Sequence, residues 1–412
     1  MNNYDVVIVG AGLSGLTAAR HLHSRGLRTL VIEKDDTPGG RVRTDHVEGF
    51  QLDRGFQVLL TAYPEAMEQL DYERLDLKSF VPGAVVWDGS DLRRVVDPLR
   101  DIVGGARTLV EPVGTLADKA RVAWLRYQVT RGDLSDLMSR PETWTFNALR
   151  SRGFSGDMIQ TFFRPFLAGV FLESELETSS RFFEFVFRMF AQGDASLPAS
   201  GMQAIPEQIE RSLPSGMLRT SSQVDAIEPG GVRLVGGEQI AASNVLVATE
   251  GPEAARLLGW PAPVPGKSVT TIYYSSPEPP VDEPVLVLNG SGRGLVNNLC
   301  VPDQVSGSYA PDGTSLVSVS LIGLPQVTGS LEETVKSELK EWFGPLAKHF
   351  THLHTYRIPY ALPDQSPGVL EPVEKSAMVA PGIYVCGDHR DTASINGALA
   401  AGRRAAKAIL SA

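Results

Sequence analysis

The sequence predicts an α/β chain in which a domain built on a parallel sheet is interrupted by a second domain, part helical and part mainly antiparallel sheet. Three observations carry this. First, an apolar run from Asp5 to Val9 ends at Gly10, Leu13, Leu16, Ala19 and Leu22 recur at helical spacing, and a second apolar run follows from Thr29 to Ile32. Strand, tight turn, helix and strand in this order make a βαβ unit, which requires parallel pairing. Second, the stretch from about Pro98 to Phe190 reads as helical and carries clusters of aromatic residues. Third, the pattern from Val269 to Ile322 alternates, as in Val317, Val319 and Leu321, which is the period of a strand.

The remaining elements follow from local chemistry. Gly230 with Gly231, and Gly236 with Gly237, punctuate hairpins that begin near Ser221 and lead into a buried strand, Val245 to Ala248. These hairpins are expected to return to the first domain. Leu331, Val335, Leu339 and Trp342 mark an amphipathic helix, with Glu332, Lys336 and Lys340 on its solvated face. The expected division assigns residues 1–90, 200–265 and 355–412 to the first domain and residues 91–199 and 266–354 to the second. A length of 412 residues predicts two or three packed units.

Composition excludes several classes. Asp and Glu number 48 against 38 Lys and Arg, an acidic balance that argues against nucleic acid as a partner. Only Cys300 and Cys386 are present, too few and too distant for a disulfide framework or a metal cluster, and a reducing cytoplasm is expected. No stretch approaches the roughly 18 apolar residues of a membrane helix, so a soluble protein is expected.

Gly10, Gly12 and Gly15 form GxGxxG at the mouth of the first strand, with Leu13 and Ser14 inside the motif. The first glycine permits the turn, the second admits a pyrophosphate, and the third lets helix and strand pack closely. Glu33, followed by Lys34, ends the second strand where an acid accepts ribose hydroxyls. This is a Rossmann-type dinucleotide site.

Gly39, Gly40 and Arg41 come next, and the whole stretch resembles the FAD-binding start of the flavin amine oxidase, protoporphyrinogen oxidase and phytoene desaturase superfamily. The resemblance implies non-covalent FAD, since the family's cysteine motif for covalent attachment is missing. It lays Gly39, Gly40 and Arg41 against the flavin pyrophosphate. It brings Gly55, Phe56 and Gln57, after Asp53 and Arg54, alongside the isoalloxazine ring. It also sets Val224 at the adenine, Gly387 and Asp388 at the ribityl and phosphate groups, and Tyr360 to Pro363 near the flavin. Ser394, Ile395, Asn396, Gly397 and Ala398 match the opening of the family's last helix, whose N-terminus faces the flavin pyrimidine edge and favours negative charge there. His389, Arg390 and Asp391 are neighbours of that edge, and no general base is assigned.

More than half of the phenylalanines fall in one segment: Phe162, Phe163, Phe166, Phe171, Phe182, Phe183, Phe185, Phe187 and Phe190. In the family this segment builds the substrate domain, so a largely apolar small-molecule substrate is expected. Thr271 stands where many amine oxidases carry a lysine, and Ser394 where several carry an aromatic residue. Dehydrogenation of an isoprenoid-like or polyene-like molecule therefore leads, amine oxidation is the alternative, and a lipid carrier of the GDP dissociation inhibitor type is the reading from another class. Lys119, Arg121, Trp124, Arg126, Tyr127 and Arg131 suggest a basic, aromatic helix in weak peripheral contact with a membrane.

Overall fold

A computed structural model describes residues 4–96 and 113–412. The expected helical character of Pro98 and its neighbours up to residue 112 lies outside the described residues.

The first sheet grows from the predicted βαβ unit. Tyr4–Val9 pairs in parallel with Thr29–Ile32 on one side and with Gln239–Val247 on the other, and Leu218–Arg219 extends the edge beside Thr29–Ile32. Val6 to Val9 are buried throughout, as a strand covered on both faces should be. Gln239–Val247 changes partners along its length. Its first half closes an antiparallel meander with Gly231–Leu234 and Val224–Glu228, while its second half runs parallel to Ile383–Val385. The four turn glycines expected at 230, 231, 236 and 237 all have positive φ. The C-terminal strand thus lies two places from the N-terminal one.

Helix Leu13–His23 packs on the last helix, Ile395–Leu410. Ser14 Oγ donates to Ala398 O at 2.7 Å, and a Cβ at Gly402 would stand 2.3 Å from Ser14 O, so the approach requires glycine.

The second sheet has the order Thr351–Pro363, Gly266–Ser276, Ser315–Ile322, Asn298–Cys300, Leu286–Asn289, Gly83–Trp87 and Leu92–Val96. All neighbours are antiparallel except Leu286–Asn289 with Gly83–Trp87. Sheet membership departs from the expected boundaries at two points. Gly83–Trp87 and Thr351–Pro363 both pair here, because their hydrogen-bonding partners lie in the second sheet and local sequence does not encode that choice. One face is sealed by helix Leu331–Phe343, whose Val335, Leu339 and Trp342 pack against Ile272, Val317 and Val319. The other face is turned toward the first sheet and the helical segment, which contains Leu116–Thr130, Arg164–Phe171 and Ser180–Gln192. A π-helical turn, Ile159–Phe163, precedes Arg164–Phe171. Among the described residues no helix is long and apolar enough to cross a membrane.

Candidate cofactor and substrate cavity

The three motif glycines differ in what surrounds them. Gly10 has φ +104°, and a Cβ there would meet Ala248 O at 2.9 Å; at Gly15 a Cβ would stand 2.0 Å from Gly10 O. These two are fixed by turn and packing. Gly12 has nothing within 4 Å on its Cβ side. Its open space faces a cavity of about 850 Å³ that runs between the two sheets.

Of the residues expected at the cofactor, all line this cavity except Gly15, Tyr360, Pro363, Asn396 and Gly397. Gly15 acts inside the helix–strand contact, as its assigned packing role requires. Asn396 is buried, and its Oδ1 accepts the Glu65 N–H at 3.0 Å, which locks the last helix to segment Pro64–Gln69. A short polar side chain on the first turn satisfied a neighbouring helix end instead of facing the cavity.

Glu33 is held from two sides, its Oε2 accepting from Ala11 N at 2.7 Å and its Oε1 from Asp35 N at 3.0 Å. Two helices longer than ten residues begin at the cavity. Gly12 gives helix Leu13–His23 no capping side chain, and the first turn holds no acid. At the other, Ser394 Oγ accepts from Gly397 N at 3.0 Å, while Ser394 and Ile395 line the wall. Both helix starts favour negative charge in the space between them.

Arg41 is not a bare counter-charge. It donates to Asp388 Oδ1 at 2.7 Å and to Ala361 O at 2.9 Å, and its guanidinium lies 5.7 Å from the Tyr360 ring centroid. Gln57 Nε2 donates to Arg41 O and Arg54 O, bracing the turn that carries Gly55. Val224 O accepts from Arg256. Behind this wall Asp53 forms a buried knot: Oδ1 accepts from Thr44 Oγ1 and Met202 N, Oδ2 from Tyr309 Oη, and its backbone oxygen from Tyr273 Oη. Burial pushes its carboxyl up to about 6. His389 is buried with neither ring nitrogen partnered among the described residues, and burial lowers it to about 4.

Beyond Gly55 the wall becomes aromatic. Phe162, Phe166, Phe182, Phe187 and Phe190 line it, whereas Phe163, Phe171, Phe183 and Phe185 are packed in the core. Lys119, Val122, Ala123 and Arg126 also line the cavity, so these basic residues lie apart from exposed Trp124 and Tyr127, which stack at 5.1 Å. The basic, aromatic helix is therefore divided between two faces. Sequence reading missed Tyr63, Asn298, Ser320 and Tyr356, all cavity-lining; only Pro64 beside Tyr63 or the pairing of distant strands could have signalled them. Thr271 is fully buried, with its Oγ1 unpartnered and 4.0 Å from the position of a Cβ on Gly55.

These features fit a dinucleotide with a flavin end: an open glycine face, two helix starts, a positioned carboxylate and an apolar extension. The flavin containing amine oxidoreductase family matches residues 13–410. A phytoene dehydrogenase of Streptomyces griseus is 28% identical over 291 residues, which are 62% of this chain and 56% of that protein, so the match spans about half of the relative's length. The structure is similar to a putative protoporphyrinogen oxidase from Exiguobacterium sp. 255-15, with a TM-score of 0.74, 18% identity and 100% of each chain covered. It is also similar to cyclohexylamine oxidase from Brevibacterium oxydans IH-35A, with a TM-score of 0.72, 18% identity, and 100% of this chain and 99% of that one covered. At such identity the structural likeness establishes the α/β fold. Since the family's sequence pattern extends over nearly the whole chain, the protein belongs to the flavin containing amine oxidoreductases, and FAD is its cofactor.

Proposed function

We propose that the protein is an FAD-dependent oxidoreductase that removes hydride from a carbon of a largely apolar, isoprenoid-like or polyene-like small molecule, as a dehydrogenase or desaturase. FAD supplies the hydride acceptor, flavin N5. In this reading Glu33, Lys34 and Val224 hold the adenosine, and the start of helix Leu13–His23 with Gly40 and Arg41 holds the pyrophosphate. Gly55, Phe56 and Gln57 lie beside the ring, with the start of helix Ile395–Leu410 at its pyrimidine edge. Cys300 and Cys386 are buried and neither lines the cavity, which supports non-covalent binding.

The observation that carries the substrate class is the phenylalanine wall beyond Gly55. Phenylalanine offers area and shape but no hydrogen bond, and it excludes water from the reacting carbon. A protonated amine there would lose hydration worth several kcal/mol unless an anion met it. Amine oxidation is the second reading, and Asp194 favours it, being the acid that lines the cavity beside Phe190 and Ala191. Weak peripheral membrane contact belongs to the first reading, supported by the exposed pair Trp124 and Tyr127 on the helix that borders the cavity.

Anaerobic mixing of the oxidised holoenzyme with amines and with isoprenoid or polyene compounds, followed by flavin absorbance, tests the order of the two. Apolar compounds are expected to bleach the flavin. Rapid bleaching by an amine alone, lost in Asp194→Asn, would reverse the order. A colourless protein that takes up no added FAD would instead favour a lipid carrier.

A further inference from the structure

Across four neighbouring strands of the second sheet, Asn298, Ser320, Thr271 and Tyr356 stand abreast. Asn298 is paired with Ser320, Ser320 with Thr271, and Thr271 with Tyr356. Residues paired directly across strands project from one face. That face borders the cavity, since Asn298, Ser320 and Tyr356 line it. One step along the same face stand Ile322, Val269 and Ile358, which are apolar and also line the cavity. The row is a polar stripe on an apolar wall.

Its hydrogen-bonding capacity is largely unused. Thr271 Oγ1 is buried without a partner and faces Gly55. Asn297 Nδ2 donates to Asn298 Oδ1 at 2.8 Å, which orients the Asn298 amide and leaves its NH₂ unpaired among the described residues. Ser320 Oγ likewise has no partner among them. Tyr356 Oη is committed, donating to Asp45 Oδ2 at 2.6 Å. The Asn298 amide and the Ser320 hydroxyl open onto the cavity, and covering them with an apolar group that leaves them without a partner would be costly, so they point to a ligand atom that satisfies them. These two open groups are neutral. They can donate to an oxygen and accept from a hydroxyl, but they offer no counter-charge to an ammonium or a carboxylate.

We propose that Asn298 and Ser320 form a substrate subsite for one neutral oxygen function, a hydroxyl or carbonyl, on an otherwise apolar molecule. The proposal rests on the apolar-substrate reading above and narrows it to lipophilic alcohols, aldehydes or ketones that present their oxygen beside the segment Gly55–Gln57.

Titration of the holoenzyme with farnesol, farnesal, farnesene and farnesyl amine, read as perturbation of the flavin absorption band, tests it. Farnesol or farnesal is expected to bind about tenfold more tightly than farnesene, the worth of one or two neutral hydrogen bonds. Ser320→Ala removes a single oxygen from the row and should cut that preference severalfold while leaving farnesene affinity within about twofold. Asn298→Leu should do the same. Equal affinity for farnesol, farnesal and farnesene, unchanged in Ser320→Ala, overturns the subsite and leaves the apolar reading standing. Binding of farnesyl amine with none of the other three overturns the apolar reading, and the subsite falls with it.

Discussion

Arg41 Nη2 lies 2.7 Å from Asp388 Oδ1, a pair that joins residues 347 positions apart. Arg41 follows the first βαβ unit and Asp388 follows the C-terminal strand, so this ion pair fastens the two ends of the chain at the cavity wall. The Asp388 side chain is 7% exposed and that of Arg41 29%. Loss of the acid leaves a partly buried cation unpaired. Asp388→Ala should therefore destabilise the apoprotein by about 1.5 to 3 kcal/mol, the range for hydrogen bonds to charged groups. The loss should be smaller with FAD bound, because a pyrophosphate can meet the freed guanidinium. Urea denaturation with and without FAD gives the comparison; an equal loss in both would remove the pyrophosphate from the neighbourhood of Arg41.

Gly12 and Gly15 are expected to fail differently. Gly12→Val places its side chain in open cavity space, so the fold should survive with an apoprotein melting point near wild type while FAD binding is abolished. Gly15→Ala drives a methyl group against Gly10 O and should lower stability by several kcal/mol. Flavin content and melting temperature of the two variants separate the cradle from the packing contact.

Glu33 has both carboxylate oxygens bonded to backbone amides and still faces the cavity. Glu33→Ala should weaken FAD affinity by about 1.5 to 3 kcal/mol and leave the bound flavin's absorption unchanged, since the adenosine end is remote from the ring. Equilibrium dialysis alongside the spectrum checks this. An altered spectrum with intact affinity would move Glu33 to the flavin end.

Asp53 and His389 should give stability opposite pH dependences. Burial raises Asp53 from 3.8 to about 6, so its contribution is fully present below its unfolded value and is lost as pH rises through about 6. Burial lowers His389 from 6.5 to about 4, so its contribution is present above its unfolded value and is lost as pH falls through about 4. At about 1.4 kcal/mol per unit, each is worth about 3 kcal/mol across its window. Asp53→Asn should remove the loss between about pH 4 and 6, and His389→Phe should remove the opposing one between about pH 6.5 and 4. Denaturation midpoints of both variants measured across pH 4 to 7 would show slopes of opposite sign relative to wild type; parallel slopes would contradict the assignment.

By itself the sequence determined what depends on a few consecutive residues. Gly10 must turn, Gly15 must pack, Glu33 must end a buried strand, and Ser394 must open a helix, because glycine torsions, strand burial and helix capping are set within one or two turns of chain. It was the resemblance to the flavin amine oxidase family, and not those local constraints, that implied both chain ends meet at one site. Tertiary structure decided what depends on partners far away in sequence. Phe187 and Phe190 line the cavity while Phe183 and Phe185 are packed in the core, a division set by which neighbouring elements cover each part of helix Ser180–Gln192. Lys119 and Arg126 line the cavity for the same reason. Asn298, Ser320, Thr271 and Tyr356 become one row only through the register of four strands, and a slip of one residue would turn each to the opposite face. The cofactor end of the cavity is thus written in local backbone chemistry. The substrate end is written in strand pairing and helix packing, which burial of the whole core selects.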